Sequence, residues 1–446
     1  MKKLIICIAL IINGLSAFSQ INDASTQPKE NSPLSRLGLG NLTPQYFAVS
    51  AGFGGMTAAY RDKYSVNPFN PASIAAMRMT AYEIGLYAKN NDVKTGAGNQ
   101  KSWSGGLNYM ALGFPTYSVI NEILDRKPRE IRWGMAFSLM PYATTGYNIN
   151  SISKSPNADS VVVANYFLGS GSTYRFLWGN GVVYKNFSAG ANIGFLFGKT
   201  TAIRQLALSS ILGNSYVDNF NDDYSMRGFA WNLGAQYDIA IGAKPKVGEK
   251  DKQKHVILGI FGNPTTPFTT TSNRVYNRIG LTTDTISTFT DKKGKGTLPA
   301  EIAMGVMYEN GVNFKAGVEY KMVNWSGYKN DAKPDALRDA GQLSLGIEFI
   351  ANKNKLTGID EKVRYRFGYR TGKDPRVVNG TQVSTWAATA GLSFPMRVGR
   401  GSQISYLNLG LEYGKLQVNT LSETYFRINC GFTLNDNTWF LKRKFN

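Results

Sequence analysis

The sequence predicts an all-β protein, a 14-stranded antiparallel transmembrane β-barrel with an N-terminal plug (hatch) inside its lumen. Three observations predict it: an export signal at the N-terminus, two-residue alternation that recurs in fourteen segments, and an unusual composition. The chain of 446 residues carries 47 Gly, 24 Tyr, 24 Phe and 7 Trp, with a negative mean hydropathy. Aromatic and glycine-rich chains of low net hydrophobicity suit membrane barrels, because only alternate residues of each strand face lipid.

The N-terminus gives the export signal. Met1-Lys2-Lys3 precedes the apolar run "LIICIALIINGL" (4–15) and then "SAFSQ", the three regions of a secretory signal peptide. Ala17 and Ser19 are the small residues before a cut at Ser19/Gln20, which assigns 1–19 to the signal peptide. The run is too short for a spanning helix, which needs about 20 apolar residues. Cys7 lies within the run and not at its end, so no lipid-anchored cysteine is expected. Loss of Lys2 and Lys3 lowers the formal charge from +20 to +18 and leaves Cys430 as the one cysteine, which excludes an intrachain disulfide.

Periodicity gives the strands. In "VNFKAGVEYKMV" (312–323), Val312, Phe314, Ala316, Val318, Tyr320 and Met322 share one face, while Lys315, Glu319 and Lys321 share the other. A half-buried strand shows that pattern and an amphipathic helix does not. Phe229, Trp231, Leu233, Tyr237 and Ile239 likewise oppose Asn232, Gln236 and Asp238. Tyr365, Phe367 and Tyr369 oppose Arg364, Arg366 and Arg370, and Phe426, Ile428, Cys430, Phe432 and Leu434 oppose Arg427 and Asn429.

Such segments lie near 79–88, 102–114, 131–148, 160–185, 187–198, 226–242, 255–268, 298–309, 312–324, 341–351, 362–371, 384–396, 403–415 and 422–434, with 160–185 long enough to hide a bulge or a split. Short connections such as Lys185-Asn186 alternate with long ones at 199–225, 269–297, 325–340 and 372–383. Tight turns on one side and long loops on the other mark an outer-membrane barrel of a Gram-negative bacterium, the short side being periplasmic. A soluble β-sandwich or propeller is the alternative.

Fourteen strands enclose a lumen too wide for wall side chains alone to fill. Residues 20–31 read as a polar, disordered linker. Residues 32–77 lack strand alternation and precede the first strand, which assigns them to the plug; 78–435 form the barrel and 436–446 a periplasmic tail. Within the plug, "SVNPFNPAS" (65–73) places two Asn-Pro pairs three residues apart. Proline fixes its own φ and pushes the preceding residue out of helix, so the pairs make a stiff reversal. The Asn side chains can then bond backbone groups shielded from water.

Three stretches carry a family resemblance. "AGFGGMTAAYRDKYSVNPFNPASIAAM" (51–77), "GTLPAEIAMGVMYENGVNFKAGVEYKMVNWS" (296–326) and "RFGYRTGKDP" followed by "TAGLSFP" resemble the FadL/TodX-type long-chain fatty-acid outer-membrane transporters. With the strand rhythm, the resemblance covers most of the mature chain. It implies uptake of hydrophobic or amphipathic small molecules that leave sideways into the membrane, through a kink in the third strand beside the hatch motif Asn70-Pro71-Ala72. Here that strand carries Pro141 and Gly146, residues that interrupt ladder pairing; a simple bulge is the other reading. Ile203, Leu206, Ile211, Phe268 and Ile279 fall where the family's loops form an uptake groove, or pack on one another. The inward bases Lys315, Lys321, Arg364, Arg366 and Arg370 would suit an acyl carboxylate, or pair with acids of plug and wall.

The resemblance has a departure. "NSPLSRLGLGNL" (31–42) looks like the start of uncharacterised Bacteroidota barrels of this superfamily, some of which serve outer-membrane machines. The alternative function is therefore a non-transporting subunit or scaffold of an outer-membrane protein complex, in secretion or assembly. Expected partners are outer-membrane lipid or lipopolysaccharide, a hydrophobic ligand and such subunits. No enzyme is expected: His255 is the one histidine, no Gly-x-Ser-x-Gly occurs, and no Cys/His metal set exists, so no cofactor is assigned. Basic residues spread along strands give no nucleic-acid patch.

Overall fold

The computed structural model describes residues 30–96, 98–125, 129–155, 158–210, 216–242, 253–280, 282–350, 363–397, 404–419 and 421–439. The assigned signal peptide and nearly all of the linker lie outside them. Fourteen antiparallel strands close into a barrel. They are β1 (Thr80–Thr95), β2 (Gly98–Pro115), β3 (Ile131–Ser155), β4 (Ala158–Tyr184), β5 (Phe187–Ser210) and β6 (Tyr216–Ile241); β7, in two pieces (Lys254–Asn263 and Thr266–Ile279); and β8, also in two (Thr283–Leu298 and Glu301–Asn310). The circle continues with β9 (Phe314–Val323), β10 (Ala340–Ile350), β11 (Arg364–Val378), β12 (Thr381–Arg397), β13 (Ile404–Val418) and β14 (Leu421–Asp436). β14 pairs with β1 from Asp436↔Thr80 to Ser422↔Lys94, and this closure removes the terminal sheet edges that hydrocarbon penalises.

The wall is inside out relative to a soluble fold. Outward Tyr320, Met322, Phe367, Tyr369, Phe426 and Leu434 are exposed on the isolated chain, while inward Glu319, Arg366, Arg370, Asn429 and Gln236 are buried. Alternate residues meet lipid and lumen, as the alternation in 312–323 predicts. No helix among the described residues is long and apolar enough to cross a membrane, which leaves the crossing to strands.

Three sequence expectations are corrected here. The stretches 199–225 and 269–297 are not long loops. β5 and β6 continue their ladder from Phe187↔Tyr237 to Leu208↔Tyr216, and β7 and β8 pair from Thr266↔Leu298 to Ile279↔Thr283. These hairpins rise above the lipid belt, where polar residues cover both faces and hydrophobic alternation disappears. Cross-strand pairs hold them instead: Arg278 Nε to Asp218 at 2.7 Å, Arg274 Nε to Asp222 at 2.5 Å, and the Phe220 and Tyr276 rings stacked at 4.2 Å. Nor is 372–383 a long loop, because β11 runs to Val378 and returns through Asn379-Gly380, both at positive φ (48° and 77°), the backbone that a two-residue hairpin turn needs. The split allowed for in 160–185 falls elsewhere: β4 is continuous, and the breaks lie at Pro264 in β7 and Pro299 in β8.

Candidate functional site: a plugged lumen and an unpaired seam

The plug is built around the double Asn-Pro turn. Asn67 Nδ2 donates to the carbonyls of Thr57 at 2.7 Å and Tyr60 at 3.0 Å, and its Oδ1 accepts from Phe69 N at 3.2 Å. Asn70 Nδ2 donates to Ala58 O at 2.6 Å. Its Oδ1 accepts from Ala72 N at 3.1 Å, which caps the 3-10 turn Pro71–Ala76. Both side chains thus stand in for missing secondary structure inside the barrel. Phe47 and Phe53 meet the Tyr60 ring edge-on at 5.6 and 5.7 Å, and the three are fully buried.

Wall side chains grip this plug from all around the barrel. Glu83 of β1 accepts from Val66 N at 2.8 Å. Asn192 of β5 donates to Pro68 O at 2.9 Å, Asn232 of β6 to Phe69 O at 2.7 Å, and Gln236 of β6 to Ala58 O at 2.8 Å. Glu319 of β9 accepts from Thr57 N and Ala58 N, both at 2.6 Å. Thr389 of β12 accepts from Gly54 N at 3.1 Å, and Glu412 of β13 from the Tyr46 hydroxyl at 2.8 Å. Between these grips the wall is bare. At Gly134, Gly181, Gly190, Gly259, Gly346, Gly368 and Gly391, an added Cβ would fall within 3.0 Å of plug atoms. This belt of inward glycines is the largest feature that sequence reasoning missed; its signal was glycine recurring at lumen-facing positions of successive strands.

The hatch motif does not sit against the third-strand break. Asn70, Pro71 and Ala72 lie against Gly181, Gly190 and Gly234 of β4–β6, where the glycine recess accommodates the turn. The inner side of Gly146 is instead occupied by Glu30.

All five predicted lumen bases face inward and are paired. Lys315 meets Glu309 at 2.9 Å, Lys321 meets Glu301 at 2.8 Å, Arg364 meets Asp62 at 2.6 Å, and Arg366 meets Glu348 at 2.5 Å. Arg370 binds Glu412. Burial would raise the Asp62 carboxyl, but Arg364, Lys315 and the Tyr64 amide hold it down at about 2. Burial pushes the Tyr46 phenol up to about 12, against the pull of Arg427 and with Glu412 adding to it. Above the plug remains a cavity of about 230 Å³ with Lys89, Arg370, Arg427, Glu30, Glu412 and Glu423 in its lining. Leu42, Tyr46, Tyr142, Val323 and Trp325 line it beside these charges.

The expected uptake groove is also different. Ile203 and Leu206 lie within β5, Phe268 and Ile279 within β7, and Ile211 lies outside the described residues. Phe268 is buried with Tyr142, Leu298, Trp325 and Tyr328, a cluster joined by Leu39 and Leu42 of the N-terminal segment that fills the upper lumen with the protein's own side chains.

Pro141 and Gly146 mark a break in pairing and not in the strand. β3 runs unbroken from Ile131 to Ser155, with a register shift against β4 between Pro141 and Ala143. Its ladder with β2 covers only Pro115↔Gly134 to Met110↔Leu139. Above that, β3 turns to the N-terminal segment. Asn41 and Leu42 pair with Thr144 and Ala143, Ser32 N donates to Gly146 O at 2.9 Å, and Thr43 N donates to Tyr142 O at 3.0 Å. Ser35 Oγ accepts from Gly146 N at 3.1 Å.

A closed 14-stranded barrel with a bonded N-terminal segment in its lumen defines the class: a plugged β-barrel of the outer-membrane type. The BamG family profile matches residues 1–446, the whole chain, and the chain belongs to that family. The FadL/TodX resemblance holds at the level of fold. The toluene transporter TbuX of Ralstonia pickettii superimposes with a TM-score of 0.54 at 13% identity, over 88% of this chain and 99% of that one. The toluene transporter TodX of Pseudomonas putida gives 0.51 at 16%, over 89% and 99%. No curated protein matches the chain.

Proposed function

We propose that this protein is a non-conducting barrel subunit of an outer-membrane protein complex, a scaffold and not a pore. The closed lumen carries the reading. Plug and wall are joined by buried hydrogen bonds and ion pairs, and removing one partner of such a pair strands the other at a cost of several kcal/mol. The space where a hydrophobic molecule would travel is narrowed by the Phe268, Trp325 and Tyr328 cluster, and the cavity of about 230 Å³ above the plug carries charged residues in its lining that such a molecule would have to pass. Partners are then outer-membrane lipid or lipopolysaccharide around the wall and protein subunits against it. Mild detergent extraction from outer membranes tests this. The protein is expected to migrate with stoichiometric partners and to give no channel steps in planar bilayers; a solitary, conducting barrel would overturn the reading.

One observation favours a second reading, a channel for hydrophobic small molecules with lateral exit. The seam between β2 and β3 above Met110 and Leu139 is a side opening of the wall, sealed among the described residues by 30–43. Under this reading, growth on or uptake of a fatty-acid-like or monoaromatic solute falls when the protein is deleted and returns with the intact chain.

A further inference from the structure

Among the described residues, the seam leaves one lip without a ladder partner. β2 pairs with β1 along its whole length, from Thr95↔Gly98 to Ala81↔Gly113, yet only its lower third pairs with β3. The N-terminal segment satisfies the β3 lip and reaches β2 through one side-chain bond, Ser102 Oγ to Asn31 O at 3.5 Å. Among the described residues, the backbone of Gly98–Tyr109 has no ladder on its seam side. At two of its glycines one face of the strand is open as well: a Cβ at Gly106 would meet only the Tyr87 ring, at 3.8 Å, and one at Gly98 nothing within 4 Å.

Depth makes this edge costly. Outward Met110, beside the last β2–β3 pair, belongs to the lipid belt, and Trp103, 68% exposed, marks its upper aromatic girdle. Backbone groups of Ser104–Tyr109 that face the seam therefore lie at outer-leaflet depth, where an unpaired amide or carbonyl costs several kcal/mol. Lipid tails and hydrocarbon solutes carry no hydrogen-bonding groups and cannot satisfy them. A polypeptide strand can, because it presents donors and acceptors at the ladder spacing of about 4.8 Å. The pair Gly105-Gly106 adds a stretch without side chains, over which the bulky residues of an incoming strand can pass.

We propose that the free edge of β2, Gly98–Tyr109, is a strand-addition site for an extended segment of another outer-membrane protein. This inference rests on the complex-subunit reading above and supplies its contact.

Amide hydrogen exchange tests it on the protein as purified alone and as extracted within its complex. Every second amide of Ser102–Asn108 should exchange about a hundredfold more slowly in the complex, and a proline scan of the same residues should leave heat-modifiable barrels at every second position while abolishing association there. Unchanged exchange, or association that survives every proline, overturns the proposal. If the complex forms while these amides still exchange freely, the strand-addition site falls and the subunit reading stands. If the protein extracts alone and conducts, both fall.

Discussion

Arg364 Nη1 of β11 lies 2.6 Å from Asp62 Oδ2 of the plug, with the Asp62 side chain buried and that of Arg364 partly so. The same guanidinium stands 3.9 Å from Glu348, whose carboxylate also takes Arg366 at 2.5 Å. Asp62 is thus the plug's contribution to a charge network otherwise built by the wall.

The carboxyl of Asp62, held at about 2 in the folded protein against about 3.9 when free, binds fewer protons folded than unfolded between those values. Its stabilisation is therefore complete above about pH 5 and lost as pH falls toward 2, on the order of 2 kcal/mol in all. Asp62→Asn should loosen the plug at neutral pH and flatten this acid limb. Plug protection, followed by protease susceptibility across pH 2–7, reads both effects.

The glycine belt sets a geometric limit. Gly368→Val places a branched side chain on Gly54 of the plug, whereas Gly327→Val meets open space. The first is expected to yield an assembled, heat-modifiable barrel with its plug displaced and measurable ion conductance. The second should conduct no more than the parent. Equal silence from both would mean that the plug tolerates a shift outward without opening the lumen.

Asn67 donates to two buried carbonyls, so Asn67→Ala leaves Thr57 O without this donor, at about 1–3 kcal/mol, and Tyr60 O with only the longer bond from Gln236 at 3.4 Å. Exchange of plug amides should accelerate accordingly while the wall ladder stays protected. A global loss of barrel assembly would instead make the turn a folding determinant.

Crosslinking locates the seam filler. In a Cys430→Ser background, Leu42→Cys with Ala143→Cys should form a disulfide, because the two residues are directly opposed across the ladder and pack in one cluster, while Ala72→Cys with Ala143→Cys should not. Non-reducing gels decide between them.

The wall was legible because lipid enforces a period of two: Val318, Tyr320 and Met322 could only alternate with Glu319 and Lys321. The rising hairpins were not, because Thr269–Asn273 are polar on both faces, the buried Thr270 and Ser272 included, so no hydrophobic contrast writes a pattern. Among site residues, the inward direction of Arg364, Arg366 and Arg370 followed from the same alternation, and their acidic partners did not. Asp62 is 302 positions from Arg364 and lies in a segment without periodicity. The location of Asn70-Pro71-Ala72 depended on glycines whose small size signals only that something comes close, not what.

Ser32 Oγ donates to Glu423 at 2.6 Å across 391 positions of chain. Among the described residues, this segment is the first to be synthesised, and its partner sits on the last strand to join the wall. Contacts of such separation are slow to form, since the intervening loop must be closed before they repay its entropy. The last step of plug seating and barrel closure are therefore one event: the Ser32 end of the stopper has no Glu423 to bond before β14 arrives. A chain of this design completes its stopper only when its two ends meet.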